Sequence, residues 1–153
     1  MTQPGRCHVR PAFLTIVTSA ILLCFAPSLS AHHAFSAEFD PDTPVMLQGE
    51  VTRIEWINPH AWIHIAVTKE DGSTTEWMIE GGTPNSLMRT GINRKSLTVG
   101  TTIIVQGYQS KDKNCLPKCK ANGRDMTFED GRRLFMGSTG TGAPEDGADQ
   151  RDR

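Results

Sequence analysis

The sequence has no long apolar run, no surplus of basic charge and few cysteines, and each shortage excludes something. Its most apolar stretch, Phe13 to Ala26, is broken by two threonines and a serine. It falls short of the ~20 residues a helical membrane span needs. Arg6 and Arg10 precede it and small residues follow it, which is the anatomy of a secretory signal peptide over residues 1–31. An uncleaved N-terminal anchor is the alternative reading. A lipoprotein start at Cys24 is disfavoured by Leu23, which stands where a small residue is expected. The expected destination is the periplasm, with no stable membrane anchor once the signal is cut after Ser30 or Ala31.

Cleavage leaves 122 residues with 14 Lys+Arg against 17 Asp+Glu, a net charge of −3, because the segment removed carries two arginines and no acid. A mildly acidic exported chain is a poor nucleic-acid binder, since phosphate neutralisation needs clustered Lys and Arg. Catalytic signatures are missing too: there is no G-x-S-x-G elbow and no H-E-x-x-H. Glu55, Glu76 and Glu80 read as strand carboxylates with no recognisable partner, and the chain is not expected to be an enzyme. Residues 139–153 are almost devoid of apolar side chains and read as a disordered tail. Cys7 and Cys24 leave with the signal, so Cys115 and Cys119 are the mature cysteines. In an oxidising compartment the pair predicts a local disulfide, with a two-thiolate metal site or a redox pair as alternatives.

What is present has period two. "VMLQGEVTRIEWI" is β-rich, and its alternation slips near Thr52–Arg53 as at a bulge. "AWIHIAVT" places Ala61, Ile63, Ile65 and Val67 on one face and Trp62, His64 and Ala66 on the other. "EDGS" predicts a hairpin turn and "TTEWMIE" a third strand. Thr83 as N-cap, Pro84 at the first helical position and Gly91 past the end predict one short helix. "TTIIVQGY" is a fourth strand, and "ANGRDMTF" and "RRLFMG" flank a turn at "EDGR". The fold class expected is all-β with one short helix. Three strands, a helix and two more strands form the order of a small five- to six-stranded OB-like barrel, with an open sandwich as the competitor. The domain limits expected are an N-terminal extended segment over residues 32–44 and the barrel over 45–138.

The four mature histidines are His32, His33, His60 and His64. Imidazole suits copper and zinc. Cleavage after Ser30 gives an Ala-His-His start whose amine, amides and His33 ring suit square-planar Cu(II). Cleavage after Ala31 lets His32 give one metal both amine and imidazole. His60 and His64, four apart on a regular strand, would stand about 13 Å apart, too far for one metal. His60, at the mouth of the "NP" turn, is the better third ligand. The ordinary readings are a floppy start, a turn-holding His60 and a half-exposed His64. Trp62 and Trp77 lie on neighbouring strands and are expected to pair across the hairpin, as core or, with His64, as a partner-binding face. Alternatively the N-terminal segment wraps this face, with Phe35 and Phe39 packed on the aromatics and the histidines held near His60.

"HHAFSAEFD", "GEVTRIEWINPHAWIHI", "EWMIEGGTPNSLMRTG", "LTVGTTIIVQGY" and "GRRLFMG" together resemble a family of small exported bacterial proteins known only as a domain of unknown function. The resemblance spans residues 32–137 and implies a periplasmic β-barrel domain with no established activity. The cysteine pair departs from the family pattern. Two functions are therefore expected to compete. One is copper binding through His32, His33 and the N-terminal amine, with His60. The other is an interaction module that takes a periplasmic protein or small ligand on the Trp62/Trp77/His64 face.

Overall fold

Strand β1 runs the 17 residues Phe39–Glu55 and serves two neighbours. Its first part pairs antiparallel with β4 (Thr102–Ser110) and its last part with β2 (Trp62–Thr68). The register shifts between Val51 and Arg53, where the sequence alternation slips. This computed structural model describes residues 32–138; the segments expected to be a signal peptide (1–31) and a disordered tail (139–153) lie outside them. The remaining elements are a helix α1 (His32–Glu38), β3 (Thr74–Glu80), α2 (Pro84–Arg89), β5 (Cys119–Phe128) and β6 (Arg133–Phe135).

The ladder runs β3-β2-β1-β4-β5-β6, and a parallel pairing of β3 with β5 closes it. Five strands thus form a ring, with the helix between the third and fourth: the OB-like barrel expected. Thr83 caps α2 by accepting from the Ser86 amide, and Gly91 follows the helix at φ +96°. The turns at 70–73 and 129–132 close by backbone bonds, Lys69 N–H to Ser73 O at 2.8 Å and Phe128 N–H to Arg132 O at 2.9 Å. Cys115 and Cys119 are joined by a disulfide.

Ala61, Ile63 and Ile65 are fully buried with Val51, Ile79, Val105, Ala121 and Met126. At roughly 1.5–3 kcal/mol per large aliphatic side chain, this interior row is the main stabilising contact of the barrel.

The N-terminal segment differs from expectation. Residues 32–38 are helical rather than extended, and β1 starts at Phe39 rather than Val45. The reason is packing across the fold. Phe35 and Phe39, four apart, are 3% and 2% exposed and form a second cluster with Tyr108. Phe35 meets Tyr108 edge-on at 5.6 Å and Phe39 at 5.7 Å between ring centroids. Burying two rings outweighs the poor helix propensity of a seven-residue segment.

Candidate functional site

The outer side of β2, β3 and β5 is where polar residues go inside. Registers align Trp62 with Glu80, Glu80 with Asn122 and Asn122 with Tyr108, so one row crosses four strands. Helix α1 and the first residue of β1 cover this row through Phe35 and Phe39. A cleft of about 310 Å³ remains beneath it. Its floor is Glu80 and Asn122, its walls Phe35, Phe39, Ile57 and Trp62, and His60 stands at its mouth after a cis Asn58–Pro59 bond.

"EGG" explains how His60 is held. Beyond Glu80 the backbone continues the ladder, with Gly81 N–H to Ala61 O at 2.9 Å and Ala61 N–H to Gly82 O at 3.0 Å. The His60 Nδ1 lies 3.3 Å from both Gly81 O and Glu80 Oε1. Both partners are acceptors, so the neutral ring carries its proton on Nδ1 and Nε2 is left as a lone-pair donor. Burial pushes the Glu80 carboxyl above the usual range, Glu38 adds to this, and the His60 ring and Lys120 oppose it. Asn122 is 4% exposed, and its Oδ1 is sealed from water with no hydrogen-bond partner among the described residues. It takes this position where Gly107 crosses close to the Asn122 carbonyl; a Cβ at Gly107 would collide with that oxygen.

His64 has a different fate. It is 3% exposed, not half-exposed, and both nitrogens are occupied. Nε2 meets Glu55 Oε1 at 3.0 Å, and Lys118 Nζ approaches Nδ1 at 3.4 Å while donating to Glu76 Oε2 at 2.6 Å. The ammonium can only donate, so Nδ1 accepts and Nε2 donates. Burial lowers the His64 pKa, and the Lys118 charge adds to this against the Glu55 hydrogen bond. His64 is therefore held between two partners within the fold rather than presented to solvent.

Trp62 and Trp77 do not pair. Trp77 stands opposite Ile65 and packs on the interior, whereas Trp62 stands opposite Glu80 outside. Trp62 instead has Lys120 Nζ 5.7 Å from its ring centroid, the same ammonium that meets Glu38 Oε1 at 3.0 Å. His32 and His33 belong to α1, but their side chains lie outside the described residues. Among the described residues no three of His, Cys, Asp and Glu are grouped to hold a metal. A second cleft of about 330 Å³, under the disulfide loop, is lined by Lys111, Lys118 and Lys120. Each of those lysines is already engaged, by Ser36 O, Glu76 and Glu38.

The sequence signs missed were the carboxylates and Asn122. Glu55, Glu76 and Glu80 all have partners: His64, which the alternation of "AWIHIAVT" placed on the outer face, Lys118, and His60 just before that stretch. For Asn122, "ANG" reads only as strand beside a glycine.

The model of a family of unknown function (DUF6152) matches residues 20–117. The chain belongs to this family. The match of the DUF6152 model takes in α1, the "NPHAW" turn, "EGG" and β4, and stops inside the cysteine loop, before β5 and Asn122. No curated protein matches. Among solved structures, the mitochondrial single-stranded DNA binding protein Rim1 from S. cerevisiae matches at 11% identity and a TM-score of 0.43, over 63% of this chain and 96% of that one. The OB-like assignment of this DUF6152 member rests on its own closed ladder.

Proposed function

We propose that this protein is an exported periplasmic domain that binds a transition-metal ion, copper favoured, without catalysing a reaction. The ligands are His32, His33 and the N-terminal amine of the processed chain, joined by His60 Nε2. The observation that carries the reading is the clamp at residues 35–39: two buried rings fix α1 as the roof of the cleft that His60 guards. His32 precedes Phe35 by three residues, about 4.5 Å along a helix axis. The amides of His32 and His33 stand in the first turn, where no intrahelical carbonyl claims them. His60 has the arrangement of a metal-ligating histidine, one nitrogen oriented by a carboxylate and a carbonyl and the other without a partner among the described residues. Buffering or delivery of the ion follows from such a site.

The partner-binding alternative narrows to Trp62, since Trp77 and His64 face other surroundings. Titration of untagged, correctly processed protein with Cu(II) against a competing chelator tests the proposal. One-to-one binding lost in His32→Ala/His33→Ala, with a further tenfold loss in His60→Ala, is expected. Binding no tighter than the chelator's background rejects it.

A further inference from the structure

We propose that the floor of the cleft beneath α1 binds a small organic cation, a primary amine on a flat apolar body, held by Asn122, Glu80 and the face of Trp62. This site goes beyond the metal reading and does not depend on it. The metal would sit at the mouth, on His60 Nε2 and the chain start, while the amine lies on the floor.

Three observations carry the inference. First, what the floor leaves unfilled is acceptors. Asn122 is more than nine-tenths buried, and its Oδ1 finds no partner among the described residues. A buried acceptor left this way loses its hydration without compensation. A donor entering the cleft meets this oxygen by rotation of the amide about χ2, which exchanges its oxygen and nitrogen ends. Glu80 has a side chain 12% exposed, and its partner is the His60 ring; no Lys or Arg of the described residues lies within ion-pair distance of it. A ligand with several N–H donors and a positive charge answers both groups at once.

Second, the walls are aromatic. Phe35, Phe39 and Trp62 surround the two polar groups, and a ring face attracts a cation once water is excluded. The volume of about 310 Å³ lies at the lower end of small-molecule sites, roughly 300–1,000 Å³, which limits the ligand to a compact one.

Third, the chain already shows this recognition at the cleft's edge. The Lys120 ammonium lies over the Trp62 ring and against the Glu38 carboxylate. A free amine would repeat the same pairing one row further in, with Glu80 and Asn122 as the acceptors.

The test uses phenethylamine as probe and 3-phenylpropanoate as its charge-reversed counterpart. Each is titrated into the full processed protein with EDTA present, so that no metal contributes. The readouts are the Asn122 side-chain amide and Trp62 indole signals in proton–nitrogen correlation spectra. Saturable shifts with phenethylamine and none with the carboxylate are expected. Affinity should fall at least tenfold in Asn122→Leu and in Glu80→Gln. If Asn122→Leu fails to fold, Glu80→Gln, which keeps the side-chain volume, decides. Equal binding of the two probes, no saturable shift, or unchanged affinity in Glu80→Gln overturns the inference. The copper titration, run without amine, stands or falls separately.

Discussion

His60 and His64 flank Trp62 at equal distance in the sequence, and the structure treats them oppositely. His64 is sealed between Glu55 and Lys118 with both nitrogens engaged, while His60 has one nitrogen fixed by Glu80 and Gly81 and the other unclaimed among the described residues. A histidine satisfied on both sides holds strands together. A histidine satisfied on one side, at the mouth of a cleft, is equipped to hold something else. The difference comes from position along β2. His64 lies mid-ladder, where Glu55 on β1 and the disulfide loop cover it, and His60 precedes the first ladder residue.

The contrast breaks most visibly in stability. His64→Ala opens a cavity and leaves Glu55 and Lys118 without their shared partner, so a loss of about 2–4 kcal/mol is expected. His60→Ala, at a site 30% exposed, is expected to lose less than about 1 kcal/mol. Urea denaturation of both variants checks this; equal losses would mean that His60 is structural after all.

Next comes the loop that covers His64. Cys115→Ser/Cys119→Ser removes a cross-link closing a very short ring, and loop-closure entropy puts the loss near 2 kcal/mol. If the loop matters to His64, the double variant also speeds amide exchange at residues 63–65, while the amides around His60 are unchanged.

Much of the fold behind this contrast was readable in advance, and the contrast itself was not, for identifiable reasons. Turns, the α2 cap, the bulge at Val51/Arg53 and the strand order follow from local signals, namely Gly and Pro positions and period two, which act within a few residues. The helical α1 was not legible, because its stability comes from Tyr108, far along the chain. The expected Trp62–Trp77 pair fails on register: alternation within each strand was read correctly, but which residues stand opposite depends on the hairpin. The partners of His60 and His64 depend on the same long-range alignment. Asn122 was invisible for a further reason, since its unmet oxygen exists only once β3 and β5 close the barrel.

Glu80 sharpens the comparison through pH. Burial raises its pKa in the folded state, so the folded protein holds the proton more tightly than the unfolded chain does. The contribution of Glu80 to stability is then fully present below the ordinary glutamate value of about 4.3 and is lost as pH rises through the raised folded value. Glu80→Gln cannot titrate. Wild type is therefore expected to gain stability relative to this variant as pH falls from 7 to 4, as measured by urea midpoints at each pH. A constant difference would show that Glu80 titrates as it does in water.

The smallest effect is at Lys118, and it isolates the cause of the His64 perturbation. Burial is the leading reason the ring resists protonation, and the Lys118 ammonium at 3.4 Å adds repulsion to any charge placed there. Lys118→Met removes the repulsion while keeping a stem of similar length over the ring. The His64 pKa, followed through its ring signals, should rise toward the ordinary histidine value without reaching it, because the burial remains. A lowered folded pKa means stability held above the unfolded value and lost as pH falls through the folded one, so the variant should also lose less stability than wild type between about pH 6.5 and 5. An unchanged His64 pKa in Lys118→Met would leave burial alone to account for the perturbation, and the ammonium would then be a partner of Glu76 only.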